Sequence, residues 1–536
     1  MRVSQLIEQT RLPLTRHAGD DAAVFTDVTD DSRLAAAGTL LLCRETAAGG
    51  DARALVTDAV RRGANAVVID DARLEAARAA IADAAASLGV TLLATPRLNQ
   101  PEAGELAEAF FGRPSQKLKA VGITGTNGKT TTAWLVRHLL RAAGRKPALI
   151  GTVETDLGEP GGPTPAELTT PGAVELARLL RRAVDAGCDG LVMEVSSHAL
   201  DQGRVDAIDF DAAVFTNLTQ DHLDYHNTME DYAAAKARLF AGLNPSAWAV
   251  VNADDPWAAR MLHDCPAKVL GTSLNPPPDE SEPGPQTNPF RGRAWVEPIE
   301  MAADRSLARF NGPWGSLELS VPLAGAHNLH NAQQALAAAS CLVNLDRQQA
   351  AALANVPPVP GRLEPVPSVR FPVDGFDPRS GPTVLIDYAH TPDALDNVLQ
   401  ALRPLVRPGG RLLVVFGCGG DRDRTKRPRM MTVACAHADR VVLTSDNPRS
   451  EPPRAILDDA LAGRPGGFAE VAVVEDRAEA IARCVLDAAA DDTLLIAGKG
   501  HEDYQIIGNE KRDFDDRREA AEALRRWLRQ RGGVRA

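Results

Sequence analysis

The chain has 536 residues and a formal net charge of −12, with 44% hydrophobic and 24% charged residues. At about 150 residues per domain, this length predicts about three or four domains, and the composition is that of a folded globular protein. The acidic balance argues against non-specific nucleic-acid binding, so we expect no nucleic-acid partner.

The seven cysteines are scattered and contain no CxxC pair. This pattern favours reduced thiols over a disulfide framework or a zinc site. No run of about 18 apolar residues occurs, so we expect no membrane span. The first residues lack the apolar segment of a secretory signal, and we therefore expect a cytoplasmic protein.

Residues 1–115 form the first predicted domain, in which short apolar runs alternate with Ala-rich segments. Strands are predicted at 39–43 and 66–69, and a helix at 72–88. These elements indicate a small α/β unit.

Residues 116–357 form the second predicted domain. Its apolar runs alternate with helical patterns such as 173–187, which predicts a mostly parallel sheet. The predicted strands are 120–124, 147–151, 190–195, 212–218 and 248–252. Short antiparallel strands are expected over 293–322 and a long Ala-rich helical stretch over 326–354, whereas the Pro-rich acidic segment 275–288 is expected to be a surface loop.

Residues 358–536 form the third predicted domain, which begins after the Pro-rich segment 355–367. Its alternating pattern predicts a Rossmann-like unit that ends in a basic helix over 516–531. The predicted strands are 383–389, 411–418, 440–445, 471–476 and 492–498.

The segment GTNGKTT, residues 125–131, follows a predicted strand and opens a predicted helix. Glycines let backbone N–H groups turn towards a phosphate, and a lysine and a hydroxyl can bind phosphate and Mg²⁺. Ile123 stands where the strict phosphate-loop pattern has glycine, so this is a shorter variant. The alternative is a simple glycine turn.

Three further positions of the second domain could carry chemistry. Glu194 ends an apolar strand, where a carboxylate could hold Mg²⁺ beside the phosphate loop or could simply be solvated. The polar segment 216–226 could serve a metal or be an ordinary surface loop. Lys236 lies on an apolar helix face, where a lysine either extends to solvent or is kept as a reactive amine.

Four polar segments of the third domain follow predicted strands. Ligands bind at strand carboxyl ends in open α/β sheets, so the four segments together favour a shared pocket, although each alone could be an ordinary loop. The segments are 387–392, 417–424, 446–449 and 498–503.

Taken together, these motifs resemble the Mur ligases, ATP-dependent enzymes that add amino acids to the UDP-N-acetylmuramoyl precursor of peptidoglycan. The resemblance runs over most of the chain. It rests on the DSR unit at 31–33, GTNGKTT, MEVSSHAL at 193–200, TNLTQDHLDYH at 216–226, AAKARLF at 234–240, PGR at 360–362, DYAHTPDAL at 387–395, DNPR at 446–449 and GKGHEDYQ at 498–505.

The resemblance implies an α/β protein of three domains: an N-terminal UDP-substrate-binding domain, a central P-loop ATPase with a mostly parallel sheet, and a C-terminal Rossmann-like amino-acid-binding domain. It implies that the substrates are ATP, a UDP-muramoyl-dipeptide and meso-diaminopimelate, with Mg²⁺ as cofactor. We expect a cytoplasmic monomer that makes an amide through an acyl-phosphate. The DNPR segment is typical of family members that use diaminopimelate.

The resemblance also implies roles for individual residues. Catalytic roles fall to Lys129, Lys236, His222 and Glu194. ATP binding falls to Gly125, Thr126, Asn127, Gly128, Lys129, Thr130, Thr131, Asn328 and His390. The UDP-muramoyl-dipeptide would be held by Ser32, Thr169, Thr170, Ser196, Gln202 and Arg204. Diaminopimelate would be held by Arg422, Asp446, Asn447, Pro448, Arg449, Gly498 and Glu502. Mg²⁺ would be bound by Thr130, Glu194, His222 and Lys236 as its carbamate, N6-carboxylysine.

Two departures from the family and three alternatives remain open. Residues 44–51 differ from the usual uridine-binding stretch, and the segments 275–288 and 371–382 resemble insertions. A related ligase with the same ATPase core, such as a folylpolyglutamate synthetase or the next Mur ligase of the pathway, would share the phosphate loop. A non-catalytic relative would be expected to lack Lys129, Glu194, His222 or Lys236. A mechanical or signalling NTPase would hydrolyse ATP without an amino acid.

Overall fold

The structure is a computed structural model that describes residues 1–44, 51–83, 89–276, 292–468 and 470–532. Within these ranges the chain has an α/β architecture with three mostly parallel sheets and one two-stranded sheet, which confirms the predicted fold class. Parts of the predicted helix 72–88, of the segment 44–51 and of the Pro-rich segment 275–288 lie outside the described residues.

The first sheet has five strands in the order β1-β5-β4-β3-β2, parallel except for β1. Its strands are β1 (Thr15–Ala18), β2 (Asp27–Thr29), β3 (Thr39–Cys43), β4 (Ala66–Asp70) and β5 (Thr91–Thr95). The helices around it are α1 (Val3–Gln9), α2 (Ala52–Arg61), α3 (Leu74–Asp83) and α4 (Gln100–Phe110). The predicted strands 39–43 and 66–69 are therefore present.

The second sheet has eleven strands in the order β16-β15-β14-β13-β12-β11-β6-β10-β7-β8-β9. Its strands are β6 (Lys119–Thr124), β7 (Pro147–Ile150), β8 (Glu154–Asp156), β9 (Thr164–Pro165), β10 (Gly190–Glu194), β11 (Ala212–Phe215), β12 (Trp248–Asn252), β13 (Lys268–Ser273), β14 (Gly292–Met301), β15 (Ser306–Gly312) and β16 (Gly315–Val321). Its helices are α5 (Lys129–Ala142), α6 (Ala173–Asp185), α7 (Ser197–Asp201), α8 (Leu223–His226), α9 (Met229–Ala241), α10 (Ala258–Leu262), α11 (Ala326–Leu342) and α12 (Arg347–Ala350).

The central strands of this sheet are covered on both faces. Met193 and Phe215 pack into the core on one face, whereas the preceding residues Val192 and Val214 pack into the core on the other. Successive side chains of a strand point to opposite faces, so a strand buried on both sides reads as one continuous apolar run. This explains why residues 190–193 and 212–215 carry no polar side chain.

The third sheet has six strands in the order β17-β18-β22-β19-β20-β21, parallel except for β17. Its strands are β17 (Glu364–Val366), β18 (Thr383–Asp387), β19 (Leu412–Cys418), β20 (Arg440–Ser445), β21 (Val471–Val473) and β22 (Thr493–Ala497), and β23 (Tyr504–Ile507) pairs with β24 (Glu510–Asp513) in a separate hairpin. The helices are α13 (Pro392–Leu402), α14 (Lys426–His437), α15 (Pro453–Leu461), α16 (Arg477–Asp487) and α17 (Asp516–Gly532).

The structure differs from the predicted elements in the length of some strands and at one break in a helix. The stretch 326–354 is not one helix: α11 ends at Leu342, Val343 is extended, and Asp346 caps the short α12 by accepting from the backbone N–H of Gln349. The antiparallel strands over 293–322 are longer than predicted, because β14 spans ten residues. The strand predicted over 471–476 ends at Val473.

Strand order brings the functional segments to two sheet edges. In the second sheet β6 lies between β10 and β11, so the loops that follow these three strands are neighbours. In the third sheet β18, β22, β19 and β20 are consecutive, which makes neighbours of the four polar segments that follow them. Within the described ranges, every helix is too short or too polar to span a lipid bilayer.

Candidate active site

The loop between β6 and α5 needs glycine at two positions. Gly125 has φ +148°, and a Cβ there would lie 1.9 Å from Thr216 Oγ1. Gly128 has φ +86°, and a Cβ there would lie 2.4 Å from Asn331 Oδ1. Larger residues would therefore be strained and would collide with fixed neighbours. The loop is built into the surrounding structure, unlike a simple surface turn.

The segment that follows β11 holds this loop in shape. The backbone N–H of Thr126 donates to Asn217 O at 2.9 Å, and that of Asn127 donates to Asn217 Oδ1 at 2.9 Å. Thr216 Oγ1 donates to Asn127 O at 2.6 Å. Part of the polar segment 216–226 therefore shapes the loop before any ligand binds.

Lys129 is the first residue of α5, and its ammonium folds back over the loop. Its Nζ donates to Gly125 O at 3.0 Å and to Thr126 O at 2.9 Å. Burial lowers the pKa of Lys129, although Glu194 and Asp221 oppose this effect. Thr130 and Thr131 follow in the first turn of the helix and are buried. The Lys129 ammonium and the N-terminus of α5 both lie at this loop, and together they favour the binding of an anion there.

Glu194, at the end of β10, is the meeting point of several hydroxyl groups. Thr130 Oγ1 donates to its Oε2 at 2.9 Å, and Thr152 Oγ1 donates to the same oxygen at 3.0 Å. The backbone N–H of Thr152 donates to Oε1 at 2.8 Å, and Thr169 Oγ1 lies 3.1 Å from Thr152 Oγ1. The carboxylate is 1% exposed, so it is a fixed part of the site and not a solvated strand end.

This set of oxygens suits Mg²⁺. Among the described residues there is no cluster of three or more His, Cys, Asp or Glu side chains placed to hold a metal by themselves. Mg²⁺ is commonly bound through one or two carboxylates together with waters and substrate phosphates. One buried carboxylate with hydroxyls beside a phosphate loop therefore fits Mg²⁺ better than a metal bound entirely by protein.

Lys236 lies on α9 with its amine beneath the phosphate loop. The side chain is 1% exposed, and its Nζ donates to Gly125 O at 2.9 Å and lies 4.5 Å from the centre of the Tyr232 ring. Burial, followed by the charge of Lys129, lowers the pKa of Lys236 well below its ordinary value, and Asp221 only partly opposes this. The structure thus excludes the extended, solvated conformation for this lysine.

His222 lies near these groups, at the start of α8. Its φ of +54° is the left-handed conformation, and its ring lies 4.9 Å from that of His198 and 6.1 Å from that of Tyr232. Its side chain is half-exposed and lies 3.6 Å from Asp221 Oδ2. Burial lowers its pKa more than Asp221 raises it, which favours the neutral ring that can bind a metal.

A second group of predicted binding residues lies directly behind Glu194. Thr170 Oγ1 donates to Glu194 O at 2.9 Å and accepts from the backbone N–H of Ser196 at 3.0 Å. Arg204 Nη1 donates to Thr170 O at 2.8 Å, and its Nη2 donates to Gln202 Oε1 at 2.7 Å. Four of the six predicted dipeptide-binding residues therefore form one hydrogen-bonded group.

Ser32 is placed differently from the other predicted dipeptide-binding residues. It lies in a short 3₁₀ turn beside the first sheet, it is 5% exposed, and its hydroxyl donates to Asp58 Oδ2 at 3.0 Å. No contact recorded among the described residues joins Ser32 to the Thr170–Arg204 group.

Two residues of the third sheet's region reach the phosphate loop. Arg362 Nη2 donates to Thr130 Oγ1 at 3.2 Å. Asp393, in the first turn of α13, accepts from Thr219 Oγ1 at 2.7 Å and from Asn127 Nδ2 at 3.3 Å. These contacts bring the loop that follows β18 close to the phosphate loop.

The two remaining predicted ATP-binding residues lie on either side of this junction. Asn328, on α11, donates from Nδ2 to Ala324 O at 2.9 Å and accepts from Asn331 Nδ2 at 3.1 Å. His390 follows β18; its Nδ1 lies 2.8 Å from Tyr388 O. Burial lowers the pKa of His390.

The predicted amino-acid pocket contains a compact polar group. Asn447 Nδ2 donates to Glu502 Oε2 at 3.0 Å, and Asn447 Oδ1 accepts from the backbone N–H of Ile506 at 2.9 Å. A Cβ on Gly498 would lie 3.6 Å from Asp446 Oδ2. The end of β20 and the loop after β22 thus converge on one point, as the strand order requires.

The two predicted arginines lie at the mouth of this pocket, on either side of a glycine. A Cβ on Gly419 would lie 3.0 Å from Arg449 Nη1 and 3.8 Å from Arg422 Cγ. Arg449 has φ +52° and donates from Nη1 to Gly420 O at 2.8 Å, while Arg422 is exposed. Pro448, which lies between Asn447 and Arg449 in the chain, is buried.

Some residues of the site were missed by reasoning from the sequence. Arg362 and Asp393 lie within quoted motifs, and Asn331 lies three residues after the predicted ATP-binding residue Asn328, but the sequence does not say which of these side chains meets the phosphate loop. Thr152 lies in no quoted motif. It follows β7, the neighbour of β10, so only the strand order places it beside Glu194.

Comparison with known proteins gives consistent results over both regions. Residues 123–339 match the Mur ligase middle domain, and residues 370–500 match the family described as Mur ligase, glutamate ligase domain. The chain is similar to the UDP-N-acetylmuramoyl-L-alanyl-D-glutamate–2,6-diaminopimelate ligase of Synechococcus elongatus, with 48% identity covering 79% of this chain and 80% of the relative. The enzyme of the same name from Geobacillus thermodenitrificans is 41% identical and covers 92% of this chain and 94% of the relative.

Solved structures give the same picture. The chain resembles a solved UDP-N-acetylmuramoyl-L-alanyl-D-glutamate–2,6-diaminopimelate ligase with a TM-score of 0.62 and 31% identity, covering 93% of this chain and 94% of that one. It also resembles the folylpolyglutamate synthase of Mycobacterium tuberculosis with a TM-score of 0.56 and 23% identity, covering 74% of this chain and 91% of that one. The second likeness concerns the fold alone.

Proposed function

Because the chain belongs to the Mur ligase family, we propose that it is an ATP-dependent ligase that adds meso-2,6-diaminopimelate to UDP-N-acetylmuramoyl-L-alanyl-D-glutamate. One observation carries the proposal. Glu194 is hydrogen-bonded to Thr130 of the phosphate loop through its carboxylate, and to Thr170 of the predicted dipeptide group through its backbone carbonyl. ATP as the phosphoryl donor and the substrate carboxylate as the phosphoryl acceptor, bound to these two groups, would be immediate neighbours.

The first chemical step activates a carboxylate. The side-chain carboxylate of the D-glutamyl residue attacks the γ-phosphorus of ATP, ADP leaves, and an acyl-phosphate forms. Lys129 and the N-terminus of α5 face the phosphates and offset the charge of the transferred group. Arg362, with a guanidinium nitrogen 3.2 Å from Thr130 Oγ1, brings a further positive charge to the same place.

The second step forms the amide. The amine of diaminopimelate attacks the acyl carbonyl, phosphate leaves, and the nitrogen loses a proton. The contacts of Asp393 with Thr219 and Asn127 hold the third sheet's region against the phosphate loop. This contact would keep the amine close to the acyl-phosphate and limit access of water.

Glu194 and the Thr130 hydroxyl would hold one Mg²⁺, and His222 and Lys236 would support a second. When bound, Mg²⁺ supplies positive charge against the phosphate oxygens. Lys236 would support the second Mg²⁺ as its carbamate, because a neutral amine can capture CO₂ and become an anionic oxygen ligand. The burial of Lys236 and its lowered pKa support this modification.

The composition of the amino-acid pocket favours diaminopimelate over lysine. Diaminopimelate has a carboxylate and an ammonium at each end, whereas lysine lacks the distal carboxylate. Arg449 and Arg422 offer guanidinium donors for carboxylates, and Asp446 and Glu502 can accept from an ammonium. Gly498 leaves room beside Asp446.

We propose the three predicted ranges as working domains: residues 1–115 for the UDP end of the nucleotide substrate, with Ser32 as one contact, 116–357 for ATP and 358–536 for the amino acid. We propose a monomer that acts in the cytoplasm, where its ATP and UDP-linked substrates occur.

The test is phosphate release by the purified protein with ATP, Mg²⁺ and UDP-N-acetylmuramoyl-L-alanyl-D-glutamate. Parallel reactions contain meso-diaminopimelate, L-lysine or no amino acid. Release that depends on diaminopimelate, with a matching gain in product mass, is the expected result. Preference for lysine would refute the pocket assignment, and no turnover with either would refute the proposed reaction.

Arg449→Leu tests the pocket separately. We expect the kcat/KM ratio of diaminopimelate to lysine to fall about tenfold or more, because one carboxylate loses its guanidinium. Arg454→Leu is the matched control, since Arg454 lies on the exposed face of α15 and pairs with Asp458. An unchanged ratio in Arg449→Leu would show that another group reads the distal carboxylate.

A further inference from the structure

Lys499 is a completely buried lysine inside the amino-acid pocket, and no role has been given to it above. It follows β22, next to Gly498, and its side chain is 0% exposed. A lysine is rarely buried fully unless its charge is paired. Its surroundings therefore indicate what it does.

Three acceptors surround the ammonium, and all three belong to the predicted pocket. Nζ donates to Glu502 Oε2 at 3.1 Å, to Asn447 Oδ1 at 3.2 Å and to Asp446 Oδ1 at 3.4 Å. An ammonium has three N–H groups, so every donor has one acceptor. Because the side chain is sealed from solvent and its donors are used, Lys499 cannot be the group that meets an incoming substrate.

The three acceptors come from two separate strand ends. Asp446 and Asn447 follow β20, Glu502 follows β22, and β19 lies between these strands in the sheet. Two carboxylates held this close repel each other unless a cation lies between them. Lys499 donates to both carboxylates, whereas the buried Arg477 makes its ion pair with Asp516 at 2.7 Å and acts on Asp446 and Glu502 only through its charge. The ring of Tyr504, whose centre is 5.4 Å from Lys499 Nζ, lies on another side of the ammonium.

We infer that Lys499 is the positioning residue of the amino-acid pocket: its buried ammonium ties Asp446, Asn447 and Glu502 into one rigid group whose remaining oxygens face the substrate's ammonium. This rests on the proposed function, because it assumes that the pocket binds an amino acid. Without Lys499, Asp446 and Glu502 would move apart, and the pocket would lose its shape.

The test compares Lys499→Met and Lys499→Gln with the wild type and with Lys511→Met. Lys511 is a suitable control because its Nζ lies 4.0 Å from the centre of the same Tyr504 ring but its side chain is exposed and has no recorded contact with Asp446 or Glu502. For each protein, kcat and the KM values for meso-diaminopimelate, ATP and the UDP-muramoyl-dipeptide are measured.

For Lys499→Met we expect the KM for diaminopimelate to rise about tenfold or more, with the other two KM values changing less than about twofold. Lys511→Met should behave as the wild type in kcat and in all three KM values.

An unchanged KM for diaminopimelate, or an equal rise in all three KM values, would overturn the inference, since a merely structural lysine would affect every substrate alike. If Lys499→Met shows no cooperative thermal transition, Lys499→Gln, which keeps N–H donors without the charge, decides by the same criteria. A wild type without diaminopimelate-dependent turnover would instead refute the proposed function.

Discussion

Two lysines of this protein are almost equally buried but have opposite surroundings. Lys236 is 1% exposed and Lys499 is 0% exposed. The Lys236 amine donates to one backbone carbonyl, and the nearby charge of Lys129 is repulsive. The Lys499 ammonium donates to two carboxylates and an amide oxygen. Burial therefore makes the ammonium costly at the first site, while paired charges compensate it at the second.

The comparison shows that burial alone does not determine the chemistry of a lysine. A buried amine without a counter-charge loses its proton readily and becomes a nucleophile, here one able to capture CO₂. A buried ammonium with two carboxylates is a fixed charge that orders its neighbours. On the roles proposed above, the same residue type would support the phosphate site in one region and the amino-acid pocket in the other.

The largest expected effect is on activity, in Lys236→Met. If the carbamate of Lys236 helps to bind Mg²⁺, its loss should lower kcat about thousandfold, equivalent to about 4 kcal/mol of transition-state stabilisation. Supplying ¹³C-labelled bicarbonate should give one carbamate signal in the ¹³C NMR spectrum of the wild type. That signal should vanish in Lys236→Met and persist in Lys499→Met. Signals that persist in Lys236→Met would place the modification elsewhere.

The second-largest expected effect is on the free energy of unfolding, which Lys499→Met should lower more than Lys236→Met does. Lys499→Met leaves two carboxylates without their cation and should lower the free energy of unfolding by about 3 kcal/mol. Lys236→Met removes an uncompensated buried amine and should lower it by less than about 1 kcal/mol. Denaturant titration of both variants measures the two values. Equal losses would mean that the charges around the two lysines do not differ in effect.

The smallest expected effect concerns the pH dependence of stability. It extends the comparison from two buried lysines to a buried carboxyl group. Glu108, on α4, is 2% exposed and accepts from Ser115 Oγ at 2.8 Å. Burial, opposed by the hydrogen bonds from Ser115, raises its pKa from 4.5 to about 7. The native carboxyl therefore holds its proton over a range in which the unfolded chain has lost it. Because Glu108 loses this proton as the pH rises, the free energy of unfolding should fall by about 2 kcal/mol between about pH 5.5 and about pH 7.5.

Glu108→Gln should remove this contribution to the pH dependence, which denaturant titration at several pH values would measure. Glu105→Gln is the matched control on the same helix. Burial raises the pKa of Glu105, but the hydrogen bonds from Arg113 and Arg11 together with the charges of both arginines outweigh it, so the pKa is lowered. This variant should lose stability near neutral pH yet keep the wild-type fall over the same range. If Glu108→Gln keeps that fall, another group titrates.

Much of the second sheet could be predicted because its strands are buried on both faces. Their apolar runs are long enough to be read directly, and the phosphate loop has glycines whose φ values and close neighbours allow no other residue. Helix ends were harder to predict. The stretch 326–354 is uniformly Ala-rich, and the break after Leu342 depends on Val343 and the cap at Asp346, which weak local preferences do not reveal.

The sequence alone determined the fold class, the family and the residue types that the reaction needs, because glycines, lysines and carboxylates at fixed spacing carry that information locally. It did not determine which of these side chains meet. Thr152 beside Glu194, Arg362 on Thr130, and Lys499 between Asp446 and Glu502 each join segments that are far apart in the chain. Strand order brings those segments together, and the groups that it places around two equally buried lysines, not their burial, distinguish Lys236 from Lys499.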